Sequence, residues 1–165
     1  MIELRNSGRV KMLVTDVDGV MTDGGMYFGP NGQALKRFDV KDGYGLKLLQ
    51  RSGVAVAWIT SDESAITRAR FAALGLDLLH DGVADKAEAL QAVAVEAGCG
   101  MGEIVYVGDD LNDLAVAAMA GTFVAPADAV AEVLAQAGAV TQAAGGHGAV
   151  REVCEAIIEH NRKAG

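Results

Sequence analysis

Short apolar runs alternate with helical segments along almost the whole chain, and this alternation constrains the fold more than any other feature. It predicts five strands, each followed by a loop and a segment with helical spacing of apolar residues. The strands are expected at residues 10–15, 54–60, 76–79, 104–107 and 121–124, with a short sixth strand near 140–141. Such repeats predict a Rossmann-like, three-layer α/β/α fold with a central parallel sheet.

The segments between these runs carry helix and turn signals. Helices are predicted at residues 43–51, 64–74, 85–97, 111–119, 127–137 and 149–161. Residues 25–39 differ, because two short runs flank Gly29-Pro30-Asn31-Gly32, which is strong turn chemistry and predicts a β-hairpin. With 165 residues, the chain is expected to form one domain over 1–165, with the hairpin as an insertion at about 25–39.

Composition narrows the classes of partner. The chain has 14 basic and 22 acidic residues and a net charge of −8, which argues against nucleic acid or an anionic membrane surface. The two cysteines, Cys99 and Cys154, form no metal-binding or disulfide pattern, which favours a reducing compartment. The polar first nine residues and the absence of an apolar run of ~20 residues predict a soluble cytoplasmic protein.

Polar side chains follow several of the predicted strands, where parallel sheets gather their ligands. They are Asp16, Asp18, Thr60, Ser61, Asp109, Asp110 and Asp113, together with Lys86 at a helix start. Taken singly, each has an ordinary explanation as a turn former, a helix cap or a solvated side chain. Taken together, converging carboxylates repel one another and need a cation. Oxygen ligands without His or Cys favour Mg²⁺ over zinc.

These residues suit the hydrolysis of a phosphate ester. Asp16 can attack phosphorus and form an aspartyl phosphate. Asp18 can protonate the leaving oxygen and then deprotonate the attacking water. Thr60 and Ser61 can bind phosphoryl oxygens, and Lys86 can hold the nucleophile and neutralise transition-state charge. The metal ligands are expected to be Asp16, Asp18 and Asp109, with Asp110 and Asp113 as a supporting shell.

The same motifs resemble the haloacid dehalogenase superfamily of phosphohydrolases. Longer stretches resemble its phosphatases of 3-deoxy-manno-octulosonate 8-phosphate and of nine-carbon sialic-type sugar acids. They are DVDGVMTDGG at 16–25, FDVKDGYG at 38–45, GVADK at 82–86 and AGGHGAVRE at 144–152. The resemblance implies Mg²⁺ as cofactor, no cap domain, and a homotetramer in which the hairpin and the C-terminal tail help to close a neighbour's site.

The motif after the second strand departs from this resemblance. Octulosonate enzymes carry Thr/Ser-Gly-Arg there, whereas this chain has Thr60-Ser61-Asp62-Glu63. Some relatives that act on nine-carbon acids have an acidic residue at this place, so the sequence leaves the sugar acid open. Candidates for binding a substrate carboxylate, each of which is also explained by surface solvation, are Lys41, Arg68, Arg70, His147 and Arg151.

Other functions fit the pattern less well. A receiver-type signalling module also uses carboxylates, Thr and Lys around Mg²⁺, but its phosphorylated Asp follows the third strand, and Asp18 would have no task there. A non-catalytic interaction domain would not need all the motif acids, and loss of Asp16 or Asp18 would be its sign. A phosphatase for another small sugar phosphate remains an alternative.

Overall fold

The centre of the molecule is a six-stranded parallel sheet, seen in a computed structural model that describes residues 2–165. Its spatial order is β5-β4-β1-β6-β7-β8. A separate antiparallel hairpin consists of β2 and β3. The strands are β1 Met12–Thr15, β2 Tyr27–Gly29, β3 Gly32–Leu35, β4 Ala55–Ile59, β5 Leu78–His80, β6 Ile104–Val107, β7 Thr122–Ala125 and β8 Ala139–Val140.

Helices cover both faces of the sheet, as the alternation predicts. They are α1 Val40–Arg51, α2 Ala65–Leu74, α3 Lys86–Ala97, α4 Leu114–Ala117, α5 Ala131–Gln136 and α6 Ala149–Ala164, with short 3₁₀ helices at Met101–Glu103 and Leu111–Asp113. None of the helices within residues 2–165 has the length and apolar character that a membrane span needs.

Alternation along the central strand divides the core into two layers. Leu13 of β1 packs in one cluster with apolar residues of α1 and α6, among them Leu46 and Ile157. Met12 and Val14 point the other way, into a cluster with residues of α3, α4 and α5. This arrangement confirms the three-layer fold, and the described residues contain no cap domain beside the hairpin.

Several element boundaries differ from the expectation. Helix α1 begins at Val40, three residues early, because the Asp39 carboxylate accepts a hydrogen bond from the Lys41 N–H and starts the helix. The helix expected at 111–119 is a 3₁₀ turn followed by the four-residue α4. The helix expected from 127 begins at Ala131, after a turn in which the Ala129 N–H donates to the Pro126 carbonyl.

The sheet order places the strand ends that carry the polar motifs next to one another. Thr15, the last residue of β1, lies in register with Trp58 of β4 and Val107 of β6. Chain order reverses at β1, because β4 lies on one side of it and β6 on the other. Open α/β sheets form their ligand crevice at such a switch point, so the fold brings the three motif-bearing loops to one edge.

Candidate active site

A buried lysine joins two carboxylates at the centre of this edge. Lys86 is the first residue of α3, and its Nζ lies 3.1 Å from Asp16 Oδ1 and 2.6 Å from Asp113 Oδ1. Its side chain is almost fully buried. Asp85 caps this helix by accepting from the N–H groups of Ala87 and Glu88, which fixes where the lysine leaves the helix.

The Asp113 carboxylate is occupied by four donors. Lys86 Nζ and the Tyr106 hydroxyl, at 2.8 Å, both donate to Oδ1. The backbone N–H groups of Asp109 and Asp110 donate to Oδ2 at 3.0 and 3.3 Å. A Cβ at Gly108 would lie 2.4 Å from the Asp113 Cβ, so only glycine leaves room for this carboxylate. Asp113 thus ties the loop after β6 to the lysine.

Asp109, in contrast, has an oxygen without a partner. Carboxylate oxygens of Asp16, Asp109 and Asp113 lie within 4.8 Å of one another. Among the described residues, no group hydrogen-bonds the buried Asp109 Oδ1. A Cβ at Gly19, where φ is +87°, would lie 2.0 Å from Asp109 Oδ2, so the loop after β1 approaches this acid closely. An all-oxygen set with an unused acceptor fits a hard divalent cation such as Mg²⁺.

Burial and mutual repulsion disturb the ionisation of these acids. Burial, together with the Asp113 charge, raises the pKa of Asp16 to about 7, although Lys86 opposes the shift. Burial and the charges of Asp16 and Asp113 raise the pKa of Asp109 to about 8. Burial works against the charged form of Lys86, but Asp16 and Asp113 outweigh it and raise its pKa. The lysine is therefore a fixed cation, and the cluster still lacks positive charge.

Asp18 lies at the mouth of the site and is held by another lysine. Lys36, which directly follows β3 of the hairpin, donates from Nζ to Asp18 Oδ2 at 2.7 Å and to Asp62 Oδ2 at 2.8 Å. The Asp18 carboxylate does not belong to the group of three acids whose oxygens lie within metal-binding range of one another. Asp18 nevertheless lines the same cleft as Asp16 and Asp109, the other two expected metal ligands.

Most of the predicted site residues line a small cleft of about 170 Å³. Its floor includes Asp16 and the buried Thr60, whose hydroxyl accepts a hydrogen bond from the Asp62 N–H at 3.1 Å. Ser61 is exposed at the rim. The cleft is lined by Asp16, Asp18, Thr60, Ser61, Asp62, Asp109, Asp110 and Asn112. Lys86 and Asp113 lie behind this surface and support it.

Most of the candidate carboxylate-binding residues have other contacts. Arg68 forms an ion pair with Asp81. The Arg70 guanidinium lies 5.7 Å from the centre of the Phe38 ring. Arg151 Nε donates to Glu155 at 2.6 Å. None of the five candidates is among the residues that line the cleft.

Three contributors to the site were not predicted from the sequence. Lys36 follows a strand of the hairpin and Tyr106 lies within a buried strand, so neither stands at the end of a strand of the central sheet, where polar residues attract notice. Gly145 packs so closely on the loop after β1 that a Cβ would lie 1.8 Å from the Gly19 carbonyl oxygen. The signal available for Tyr106 was its hydroxyl in an otherwise aliphatic strand (IVYV).

Comparison with known proteins identifies the family of the chain. The family model of the haloacid dehalogenase-like hydrolases matches residues 47–153. The 3-deoxy-D-manno-octulosonate 8-phosphate phosphatase of Yersinia pestis is 41% identical over 155 residues, which cover 94% of this chain and 83% of that protein.

Solved structures of relatives superpose closely. The cobalt-bound deoxy-D-mannose-octulosonate 8-phosphate phosphatase of Haemophilus influenzae is 38% identical, with a TM-score of 0.91 over 94% of this chain and 91% of that one. The phosphatase of Moraxella catarrhalis, solved with a magnesium ion, a phosphate ion and a KDO molecule, is 35% identical. Its TM-score is 0.89 over 93% of this chain and 88% of that one.

Proposed function

The chain belongs to the haloacid dehalogenase-like hydrolases, and from this premise we propose that it is a magnesium-dependent phosphatase of a sugar-acid phosphate. Its nucleophile is Asp16. The observation that carries the proposal is the buried Asp16 carboxylate, held 3.1 Å from Lys86 Nζ at the floor of a cleft that Asp109 also lines. Residues 1–165 act as one catalytic domain, with the hairpin at about 25–39 as its flap.

In the first half-reaction, an Asp16 oxygen attacks phosphorus and forms an aspartyl phosphate. The bond between phosphorus and the ester oxygen breaks, its electron pair goes to that oxygen, and Asp18 supplies the proton. The Thr60 and Ser61 hydroxyls bind the transferring phosphoryl group. Lys86 orients the Asp16 carboxylate and offsets the negative charge that grows on the phosphoryl oxygens.

In the second half-reaction, Asp18 is a carboxylate and takes a proton from water. That water attacks phosphorus, the bond to Asp16 breaks, and inorganic phosphate leaves. Both halves therefore use the same acid in opposite directions, which returns each carboxylate to its starting state.

Asp16 and Asp109 are the residues that would hold Mg²⁺. Asp18 lies at the mouth of the same cleft, and Asp110 and Asp113 would support the metal ligands from behind. When bound, the ion offsets the charge that the substrate phosphate and these carboxylates bring together. Asp109 Oδ1 has no hydrogen-bond partner among residues 2–165, and the pKa of Asp109 is raised. Both observations support this assignment, because they indicate a carboxylate with too little positive charge around it.

The relatives suggest the substrate class. The phosphatases of Yersinia pestis and Moraxella catarrhalis are octulosonate 8-phosphate phosphatases, which supports an eight- or nine-carbon sugar-acid phosphate here. Asp62, at the rim of the cleft, leaves the choice between an octulosonate 8-phosphate and a nonulosonate 9-phosphate open.

A second copy of the chain is the proposed partner that completes the cleft. Its volume of about 170 Å³ is below the roughly 300 Å³ typical of ligand pockets, so a sugar acid would extend beyond it. The hairpin exposes large apolar side chains, with Met26 and Phe28 exposed by 63% and 69%. These features support a subunit interface at the hairpin. The family resemblance extends this proposal to a homotetramer in which the hairpin and the C-terminal tail reach neighbouring sites.

The test measures the hydrolysis of p-nitrophenyl phosphate and of octulosonate and nonulosonate phosphates through the inorganic phosphate that is released. We expect turnover to require Mg²⁺ and to fall at least about 1000-fold in Asp16→Asn, which lacks the nucleophile. Asp77→Asn, a change at an acid outside the cleft and at the amino end of β5, is the matched control and should retain activity. Full activity of Asp16→Asn would overturn the mechanism, and turnover of neutral sugar phosphates alone would overturn the substrate class.

A further inference from the structure

Lys36 is almost completely buried, although it belongs to the hairpin rather than to the sheet. Its side chain is 1% exposed, and its Nζ makes three hydrogen bonds, to Asp18 Oδ2, Asp62 Oδ2 and Thr67 Oγ1, at 2.7, 2.8 and 3.2 Å. All three protons of the ammonium group are thus used. A lysine in this state binds no substrate group, so its role must lie in what it holds.

Asp62 is fixed from the opposite side. Its Oδ2 also accepts from the Ser64 hydroxyl and the Thr67 hydroxyl, both at 2.7 Å. Burial opposes its charge, but the hydrogen bonds from Lys36, Ser64 and Thr67 lower the pKa of Asp62 to about 2. Because Thr67 is fully buried within α2, this acid is a rigid anchor for the ammonium group.

Asp18 has no such anchor of its own. Its side chain is 41% exposed, and within residues 2–165 its carboxylate makes one hydrogen bond, through Oδ2 to Lys36. An aspartate this exposed on a loop would otherwise sample several rotamers. The single contact leaves Oδ1 free at the cleft that Asp18 lines.

We propose that Lys36 is a positioning residue of the proposed reaction: anchored by Asp62, it holds Asp18 by Oδ2 and leaves Oδ1 to exchange the proton with the leaving oxygen. The inference rests on the proposed function, since it needs Asp18 as the acid. It also gives Asp62 a task within the chain. The residue that departs from the octulosonate motif completes an Asp18–Lys36–Asp62 bridge that fastens the hairpin to the site.

The bridge predicts which substrates are hydrolysed more slowly when the contact between Lys36 and Asp18 is removed. When the ester bond breaks, a poor leaving group needs the Asp18 proton, whereas p-nitrophenolate departs without it. A misplaced Asp18 therefore slows esters of weakly acidic alcohols and phenols more than esters of acidic phenols. General damage to the fold would instead lower all rates by a similar factor.

The experiment compares Lys36→Met with the unaltered protein on aryl phosphates whose phenols differ in pKa and on an octulosonate phosphate. We expect the ratio of kcat between p-nitrophenyl phosphate and the poorest leaving group to grow by on the order of 10-fold or more. Asp18→Asn should give the same pattern. Lys47→Met is the matched control, because Lys47 also makes three hydrogen bonds but none to the site. It should leave the ratio unchanged.

Asp62→Asn is a second, milder variant in case Lys36→Met does not fold, because asparagine keeps a side-chain oxygen that can accept a hydrogen bond. We expect the same leaving-group pattern with a smaller, few-fold change. An equal loss for all substrates in both variants, or no loss, would overturn the proposal.

A crystal structure of Lys36→Met gives a readout that does not depend on activity. We expect the Asp18 carboxylate to leave its present rotamer or to occupy several. One unchanged rotamer would contradict the positioning role even if the phosphatase activity is established. Conversely, a displaced Asp18 in a protein that hydrolyses no phosphate ester would uphold the contact and reject the proposed function.

Discussion

The three aspartates at the centre of the site carry the same side chain but differ in their surroundings. Asp113 is saturated, with donors on both oxygens. Asp16 shares one lysine, and Asp109 keeps a buried oxygen without a partner among the described residues. Asp113 therefore holds the lysine and the loop, whereas in the proposed function Asp16 and Asp109 receive the substrate phosphoryl group and the cation.

The raised pKa values of Asp16 and Asp109 predict how the stability of the metal-free protein depends on pH. Unfolded carboxyls lose their protons near pH 4, whereas the folded ones keep theirs to about pH 7 and 8. Between these values the folded state binds more protons, so the free energy of unfolding falls as pH rises. In EDTA, we expect Tm to drop by on the order of 5 °C between pH 5.5 and 8.5.

Thermal unfolding in the presence of Mg²⁺, and thermal unfolding of Asp109→Asn, distinguish the effect of Asp16 and Asp109 from that of other titrating groups. Millimolar Mg²⁺ should restore most of the loss at pH 8.5, because it binds the folded carboxylates. Asp109→Asn should show a shallower fall in EDTA, because it removes one of the two acids. A Tm that rises with pH in EDTA would show that the pKa values of these two acids are not raised in the folded state.

At the scale of elements, α1 and α6 are joined by a cap that crosses between helices. Gly148 precedes α6 and has no side chain to cap it. Asp42 of α1 takes this role by accepting from the N–H groups of Gly148 and Arg151 at 3.1 and 2.8 Å. Gly45 lets the helices approach, since a Cβ there would lie 3.0 Å from the Arg151 Cα. The segment before α6 also packs on the loop after β1, so this contact supports the site.

We expect Asp42→Ala to lower the free energy of unfolding by about 1–3 kcal/mol, because two backbone donors lose their acceptors. Asp39→Ala is a matched control that removes the cap of α1 itself. It should cost about 1 kcal/mol, because water can replace the acceptor at that exposed N–H. Urea unfolding monitored by circular dichroism measures both. An equal loss in the free energy of unfolding for the two variants would show that the cap between α1 and α6 stabilises the fold no more than the ordinary cap of α1.

At the scale of the whole molecule, the cleft that holds the predicted acids is too small to enclose a sugar-acid phosphate. The hairpin is fastened by Lys36 on one side and exposes apolar residues on the other. Leu35 and Phe28 are exposed by 64% and 69%, and Val40 and Tyr44 of α1 are also exposed apolar or aromatic side chains. An apolar surface of this kind is typical of a subunit interface.

We expect Phe28→Asp to shift the assembly toward monomers, because it places a charge in the proposed interface, and to lower kcat/KM for a sugar-acid phosphate by at least about 10-fold. Sedimentation velocity and phosphate release measure the two effects. Val95→Asp is the matched control, because Val95 is an apolar side chain, 82% exposed, near the end of α3 opposite to Lys86. An unaltered protein that sediments as a monomer at micromolar concentration would contradict the interface.

Sequence patterns were sufficient where a structural signal is local. Strand β6 lies where its apolar run predicts, and the hairpin turns at Gly29-Pro30-Asn31-Gly32. The start of α1 differs from its predicted position because the Asp39 cap decides it. A cap depends on one hydrogen bond rather than on a periodic pattern of residues. Lys36 escaped prediction because its partners, Asp18 and Asp62, lie 18 and 26 residues away along the chain.

The sequence alone determined the alternation of strands and helices, the edge at which the acids gather and the resemblance to a phosphatase family. These follow from residue types at fixed spacing, which local chain geometry converts into position. The tertiary structure alone decided which acids have their oxygens occupied by donors and which lysine contacts which acid. Those outcomes depend on burial and on contacts a few ångströms long between distant segments, and spacing along the chain does not encode them.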